Sequence, residues 1–361
     1  MSVFHVISVS GGKDSDATLL LALQRFPKER VLPIYCDTGN EHEAVDEHLT
    51  YLEQRLGVTI TRLKANFDAE IAAKRIFIAR DARTRREYSS EPRIDKAGNI
   101  VFRKTNGGDI ELRMVWKKGV LDLEGAPRMR KVRGRLVRWS NKAKRRALAE
   151  LRPSGNPFLD LCMWKGRFPS RKAQFCTQEL KTELAVAYQL RLVEQGHRVV
   201  SWQGVRRDES LNRANAQHFE RLNPRMYAHR PLADWTAPQV FAFLAAHDIT
   251  PNRLYREGMG RVGCMPCINQ DKAGIREMAA RWPEHPERLA EWERRVGACS
   301  KRDFSTFFAD SHKAADRREV FADLNIWSRI EWSKTTRGGK QRDLLGNDEP
   351  LACKSAYGLC E

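Results

Sequence analysis

The stretch that decides the fold reads FHVISVSGGKDS and spans residues 4–15. Its first half, Phe4–Val9, is apolar and rich in β-branched residues, which predicts a buried strand. A helix is predicted from Asp14 to Gln24, where apolar residues recur at helical spacing. Between them, Gly11 and Gly12 allow positive φ angles and a close approach of ligand to backbone, and the helix directs its N-terminal amides to the same place. The stretch therefore predicts an anion-binding turn between a strand and a helix.

Polar side chains in the same turn suit a pyrophosphate group. Lysine supplies a mobile positive charge, and two serine hydroxyls supply hydrogen-bond donors. The pattern G-x-x-x-x-G-K-[ST] is absent, so this is not a phosphate loop of the Walker type. We predict that the turn binds the phosphates of a nucleotide; the alternative is a tight turn without a ligand. The residues predicted to bind are Ser10, Gly11, Gly12, Lys13, Asp14 and Ser15.

Strand and helix patterns alternate after this turn. Such alternation predicts βαβ units, and hence an α/β fold: a parallel twisted sheet with helices on both faces. Ligands bind these sheets at the carboxyl ends of the strands. Asp37, Thr38 and Gly39 follow the second strand, where the acidic side chain could bind ribose hydroxyls or a metal ion, or cap a helix. The predicted elements are strands over residues 31–35 and 58–63 and helices over 43–56 and 68–78.

Regular patterns return in the second half of the chain. They predict a helix over residues 177–194, a strand over 198–202 and a helix that starts at the capping signal Thr236–Gln239. Two further helices are predicted near 271–281 and 286–296. The predicted organisation is a nucleotide-binding domain formed by residues 1–80 and 156–270, a basic insertion over 81–155, and a helical C-terminal region with a Cys-bearing tail over 271–361.

The overall charge favours polyanionic partners. The chain has 361 residues and a formal net charge of +18, with a pI near 9.8. Such an excess of positive charge suits binding of nucleic acids or nucleotides. The alternative is a basic surface that only keeps the protein soluble, which would give the same net charge. No apolar run approaches the roughly 20 residues of a membrane span, and the first residues lack a signal-peptide pattern. We therefore expect a cytoplasmic protein with no membrane partner.

The positive charge is concentrated in the predicted insertion. Residues 113–146 contain 13 Lys and Arg but only two acidic residues, a net charge of +11. Trp116 and Trp139 lie in the same stretch and could stack on bases of single-stranded nucleic acid. The alternative is a solvated loop without a partner. The predicted nucleic-acid surface consists of Arg130, Lys131, Arg133, Arg135, Arg138, Lys142, Lys144, Arg145 and Arg146.

Six blocks of the sequence resemble one family, the phosphoadenosine phosphosulfate (PAPS) reductases of the PP-loop adenine-nucleotide α-hydrolases. The resemblance implies a PP-loop fold with an adenine nucleotide, either ATP or PAPS or adenosine phosphosulfate (APS), together with Mg²⁺. By matching position, Arg206 and Arg207 would bind the nucleotide or a sulfate group, which agrees with the affinity of paired guanidinium groups for such oxygens. The blocks are residues 10–15, 37–41, 175–181, 204–210, 231–236 and 263–267.

The cysteines point to a cluster-bearing branch of this family, such as APS reductases or sulfurtransferases that place phosphorothioate in DNA. Cys264-x-x-Cys267 is typical of metal, iron–sulfur or redox sites in cytosolic proteins. With Cys176, these residues would form a [4Fe–4S] site; zinc or plain thiols are the alternatives. Cys353 is the first choice for the fourth ligand, with Cys360 and Cys299 as alternatives, whereas Cys36 and Cys162 are expected in the core.

Three functions are compatible with these features. In the first, the enzyme uses ATP to attach AMP to a target oxygen of nucleic acid, with Lys13 stabilising the pyrophosphate, and sulfur from a donor such as a cysteine desulfurase replaces that oxygen. In the second, a thiol-dependent PAPS or APS reductase uses Cys360 as nucleophile, with a thioredoxin-type reductant. In the third, the protein binds nucleic acid without catalysis. The tail of this chain carries Cys360 in a motif that differs from the tail motif of the family's usual reductases.

Overall fold

The computed structural model describes residues 2–117, 120–209, 213–308 and 317–335. It divides into two compact units, Met1–Ile76 with Arg145–Glu361 and, separately, Phe77–Lys144. The strands are β1 Val3–Val9, β2 Val31–Asp37, β3 Thr61–Lys64, β4 Arg85–Pro92, β5 Leu112–Lys117, β6 Val120–Gly125, β7 Met129–Val137, β8 Arg198–Trp202, β9 Phe219–Asn223 and β10 Met226–His229. The helices are α1 Lys13–Arg25, α2 Glu43–Leu56, α3 Asp68–Arg80, α4 Asn141–Glu150, α5 Pro157–Lys165, α6 Phe175–Thr177, α7 Glu183–Glu194, α8 Ala237–Ala245, α9 Lys272–Arg281, α10 Glu284–Ala298, α11 Arg317–Leu324 and α12 Ile326–Ser333.

The first unit is built on a six-stranded sheet with the order β3-β2-β1-β8-β10-β9. All neighbouring strands run parallel except β9, which pairs antiparallel with β10 at one edge. The central strand β1 lies between β2 and β8, so that Ile7 is opposite both Pro33 and Trp202. This arrangement confirms the predicted α/β fold with a mostly parallel sheet. The antiparallel hairpin of β9 and β10 was not predicted.

Helices cover both faces of this sheet, as predicted. Successive side chains of a strand point to opposite faces. Val6 therefore packs in a cluster with side chains of α7, whereas the next residue, Ile7, packs in the larger core with α1, α2 and α8. Both side chains are fully buried.

The unit Phe77–Lys144 contains two antiparallel strand pairs, β4 with β7 and β5 with β6. Several apolar side chains of this unit are exposed, including Tyr88, Ile94 and Leu123. The sequence predicted an insertion outside the main sheet but no strands within it. Its boundaries as a domain, residues 81–155, remain a prediction.

The C-terminal region contains helices α9 to α12, which confirms its predicted helical character; α9 and α10 match the two predicted helices, whereas α11 and α12 were not predicted individually. Asp271 caps α9, and its side chain accepts a hydrogen bond from the amide of Gly274. The predicted capping box of α8 also forms between Thr236 and Gln239. The Cys-bearing tail lies outside the described residues. Within the described residues, no helix combines the length and apolar character needed to cross a membrane.

Candidate functional site

The turn after β1 forms an open cradle at the N-terminus of α1. Gly11 has a φ of 69°, the left-handed conformation for which glycine is suited. Gly12 is the N-cap of α1, and no side chain caps the helix there. The hydroxyl of Ser15 accepts a hydrogen bond from the amide of Ser10 (3.1 Å) and donates one to the carbonyl of Gly12 (2.7 Å). The turn is thus held in shape by its own serine at the positive end of the α1 dipole.

Lys13 is buried rather than mobile. It is 4% exposed, and its Nζ lies 3.2 Å from the carboxylate of Asp14. The ammonium group also stands over the rings of Phe241 and Tyr255. The amide of Lys13 donates to the Tyr255 hydroxyl at 3.1 Å. Tyr255 was not predicted, because no motif marks a residue 242 positions away from the one it contacts.

Arg206 joins the cradle from the loop after β8. Its side chain is buried and donates to Asp14 (2.6 Å) and Asp208 (2.5 Å). A guanidinium group has five N–H donors, so these two bonds leave donors for another oxygen. Gly204 makes the approach possible, since a Cβ there would stand 2.7 Å from the carbonyl oxygen of Asp14.

Arg207 lies apart from this cluster. Its guanidinium group pairs with Asp234, and its Nε donates to the carbonyl of Ala216 at 2.9 Å. His218 also contacts Asp234, at 2.6 Å. These bonds link the loop after β8 to the segments around it.

The segment after β2 turns back on itself. Gly39 has a φ of 73°, and its amide donates to the carboxylate of Asp37 at 2.8 Å. The hydroxyl of Thr38 donates to Glu41 at 2.6 Å. The N-cap of α2 is His42, so Asp37 does not fill the capping role considered as an alternative.

The Cys264-x-x-Cys267 loop docks on this segment. Glu41 and Cys264 form an isolated β-bridge, and the Cys264 sulfur lies 3.5 Å from both Thr38 Oγ1 and Glu41 Oε1. The side-chain amide of Asn40 donates to the carbonyl of Pro266 at 3.0 Å. The thiol loop is therefore fixed to the carboxyl end of β2. Glu41 and Asn40 were not predicted as site residues, although both lie inside a recognised block.

Cys176 and Lys181 lie within electrostatic range of the thiols of this loop. Burial raises the pKa of Cys264 to about 11, and Cys267 adds to that rise. The pKa of Cys176 is raised by burial and then by Cys267, so Cys267 lies within electrostatic range of both other thiols. The pKa of Lys181 is also raised, chiefly by Cys264. Lys181 belongs to a π-helical turn, Gln178–Thr182, of the kind often found at functional sites.

The described residues alone do not make a metal site. Over residues 2–117, 120–209, 213–308 and 317–335, no group of three or more His, Cys, Asp or Glu side chains is placed to hold a metal ion. Cys353 and Cys360 lie outside the described residues. Cys299 is buried at the end of α10 beside Glu150.

The remaining thiols are packed inside the protein to different degrees. Cys162 is fully buried in α5, where core packing was predicted. Cys36 is half-buried, with its sulfur 3.6 Å from the carbonyl oxygen of Lys181.

The predicted nucleic-acid surface is only partly available. Arg146 is bound inside the first unit: its guanidinium group donates to the carbonyls of Ala298 and Ser300 and pairs with Asp303. Lys144 donates to the carbonyl of Ala79 at 3.0 Å. The side chain of Arg135 lies outside the described part of the chain. The exposed basic residues are Arg130, Lys131, Arg133, Arg138, Lys142 and Arg145.

The two tryptophans of the insertion differ. Trp139 is 7% exposed, so it cannot stack on a base as proposed from the sequence. Packing inside the protein already buries the apolar surface of this ring, which a base would otherwise cover. The side chain of Trp116 lies outside the described residues.

Comparison with known proteins places these features in a family. A model of the phosphoadenosine phosphosulfate reductase domain matches residues 5–92 and 157–270. An uncharacterised 37.8 kDa protein from the gpa 5′ region of Escherichia phage 186 is 41% identical over 100% of this chain and 97% of its own length. An adenosine 5′-phosphosulfate reductase of Burkholderia cepacia is 39% identical over 22% of this chain and 32% of its own length.

An adenosine 5′-phosphosulfate reductase of Rhizobium tropici is 36% identical over 22% of this chain and 44% of its own length. The chain thus spans about a third to a half of these two reductases. A crystal structure of phosphoadenylyl-sulfate reductase from Candida auris, in a phosphate complex, aligns with a TM-score of 0.36 and 14% identity, over 74% of this chain and 83% of its own. Since the family model matches more than half of the residues, the chain belongs to the phosphoadenosine phosphosulfate reductase domain family.

Proposed function

We propose that this chain is a cytoplasmic PP-loop enzyme that splits ATP between the α and β phosphates and uses AMP to activate an oxygen of nucleic acid for replacement by sulfur. The observation that supports it best is the meeting of two loops. The carbonyl oxygen of Val262 lies 3.7 Å from the position of a Cβ on Gly12, and Cys264, two residues later, pairs with Glu41. This proximity supports a single site that joins the phosphate cradle and the thiol loop.

In the first step, the target oxygen attacks the α phosphorus of ATP, presented with Mg²⁺. The bond between the α phosphorus and the bridging oxygen breaks, and pyrophosphate leaves. Lys13 and the N-terminal amides of α1 would stabilise the charge that develops on pyrophosphate. Arg206 would hold the nucleotide with its remaining N–H donors, while Ser10, Asp37 and the neighbouring glycines would shape the binding surface. Arg207 stays a candidate for the same role.

In the second step, sulfur replaces the activated oxygen. The terminal sulfur of a persulfide, of the type that a cysteine desulfurase carries, forms the new bond and AMP leaves. A thiol then reduces the remaining S–S bond, which frees the sulfur-containing product and leaves a disulfide. The exposed basic residues of the insertion are the feature that favours nucleic acid as acceptor, because phosphate contacts release counterions.

We also propose an iron–sulfur site held by Cys176, Cys264 and Cys267 with a fourth thiolate, Cys353 or Cys360, from the tail. Three thiols do not close a four-thiolate site, so no step of the reaction is assigned to the cluster. Anaerobically purified protein should contain iron and absorb near ~400 nm. Cys264→Ser should lose the iron, whereas Cys162→Ala should keep it. Stoichiometric zinc without iron would refute the cluster.

The second candidate is a PAPS or APS reductase, which the names of the partial relatives favour. The Cys360 thiolate would attack the sulfur of the sulfonate group, forming an S-sulfonate and releasing the nucleotide. A thiol of a thioredoxin-type reductant would then release sulfite and leave a disulfide. This reaction gives no role to the charge of the insertion.

A product assay separates the candidates. The protein is incubated with ATP, nucleic acid, cysteine and a desulfurase, and in parallel with PAPS or APS and a thiol reductant. We expect AMP and pyrophosphate in equal amounts from ATP, and neither from Lys13→Ala. Sulfite that disappears in Cys360→Ser would instead establish the reductase. Nucleic-acid binding without any of these products would indicate a non-catalytic binding protein.

A further inference from the structure

A cavity of about 270 Å³ opens next to the cradle, between the sheet and α7. Ser10 of the cradle and Gly263 of the thiol loop both line it. Its walls are mainly apolar, with Ile34, Ala185 and Met226 among them. Apolar walls that converge on a few polar groups are typical of small-ligand sites. A ligand with its phosphates in the cradle could extend directly into this cavity.

One acceptor atom of the residues that line this cavity lacks a partner among the described residues. Gln189 of α7 is 3% exposed and lines the cavity, and its Oε1 has no hydrogen bond to any described residue. The other glutamine of the wall, Gln203, already accepts a hydrogen bond from Arg230 at 3.0 Å. An unsatisfied acceptor in the interior is costly, so a buried amide oxygen without a partner needs an explanation.

We propose that Gln189 reads the base of the nucleotide, with adenine in the cavity and its 6-amino group donating to Gln189 Oε1. This inference rests on the proposed nucleotide site. A carboxamide presents an acceptor and a donor side by side, and adenine presents the complementary pair along its amino edge. The N–H₂ of Gln189 would donate to a ring nitrogen of the same edge. Guanine has a carbonyl in place of the amino group and would bring two acceptors together when the amide keeps this orientation.

Two nucleotides and three proteins test this role. ATP and purine riboside 5′-triphosphate, which lacks only the 6-amino group, are titrated calorimetrically into wild type, Gln189→Leu and Gln195→Leu. Gln195 ends the same helix but is exposed, so it is the matched control. Wild type and Gln195→Leu should bind ATP at least about tenfold more tightly than the analogue, because the analogue leaves the buried acceptor unpaired. In Gln189→Leu the two affinities should become nearly equal.

The outcomes separate this inference from the proposed function. If wild type binds ATP and the analogue equally, or if Gln189→Leu keeps the preference, Gln189 does not read the base, while the nucleotide site stands. If wild type binds neither nucleotide, both proposals fail. Thermal unfolding checks that Gln189→Leu is folded, and Gln189→Met, of similar length, gives a second test with the same expected loss of preference.

Discussion

The cradle and the basic insertion carry positive charge in opposite ways. In the cradle, Lys13 and Arg206 are buried, and each contacts the carboxylate of Asp14. In the insertion, side chains such as Lys131 and Lys142 are exposed. A buried charge held by fixed neighbours is preorganised for one ligand geometry, whereas exposed charges attract any polyanion and are screened by salt. The two regions should therefore respond differently to mutation, pH and salt.

The largest expected effect is on the cradle. Lys13→Ala should weaken ATP binding about 1,000-fold, near 4 kcal/mol, because it removes a desolvated positive charge from the phosphate site. Nucleic-acid binding should stay unchanged. Calorimetry with ATP measures the first effect, and Lys96→Ala, in an exposed turn of the other unit, is the control. Equal ATP affinity in Lys13→Ala and wild type would show that the cradle does not bind the nucleotide.

The next largest effect is a pH dependence of the unfolding free energy. It arises from Glu293, in the unit that carries the cradle. Burial raises the pKa of Glu293 to about 7, although its carboxylate accepts hydrogen bonds from the amides of Phe307 and Ile326. The native state therefore holds this proton after the unfolded chain has lost it. The stabilisation by Glu293 is complete below pH ~4.5 and is lost as pH rises to about 7.

Wild type should accordingly lose about 3 kcal/mol of unfolding free energy over this interval through Glu293 alone. Urea unfolding at several pH values measures the slope. Glu293→Gln should remove that part of it, whereas Glu291→Gln, exposed on the same helix, should not. An unchanged slope in Glu293→Gln would show that the carboxyl group ionises normally.

Charge reversal in the insertion should have a smaller effect on a different ligand. Lys142→Glu with Arg145→Glu should weaken binding of single-stranded nucleic acid about 10- to 100-fold and lower the log–log salt slope by about two. ATP affinity should not change. Arg146 is left intact, because its bonds to Ala298 and Ser300 hold the fold. If the wild type binds nucleic acid no more tightly than heparin, and the double variant has an unaltered salt slope, the insertion has another role.

The smallest effect tests how the loop after β8 meets the cradle. Gly204→Ala places a Cβ 2.7 Å from the carbonyl oxygen of Asp14, so the loop must move away and carry Arg206 with it. ATP affinity should fall about tenfold, the scale of a disturbed charged hydrogen bond. Gly260→Ala, where a Cβ meets nothing within 4 Å, is the control. Similar affinities in the two variants would mean that Arg206 does not contribute to binding.

Local patterns predicted the cradle, because strand, glycines and helix follow one another in β1 and α1. They could not predict Tyr255 or Gln189, whose roles arise from contacts between distant parts of the chain. The strands of the insertion were also missed: β4 and β7 alternate weakly, and the many arginines of β7 obscure its apolar positions. The burial of Trp139 depends on packing that composition does not reveal.

Cleavage of ATP between the α and β phosphates is the central claim, and positional isotope exchange tests it without a sulfur donor. ATP labelled with oxygen-18 in the α–β bridge is incubated with the protein and nucleic acid. Reversible cleavage lets the β phosphate of bound pyrophosphate rotate, so label should move to non-bridging β positions with wild type and not with Lys13→Ala. Label that stays in the bridge with every acceptor, while APS yields sulfite, would contradict the account and identify a reductase.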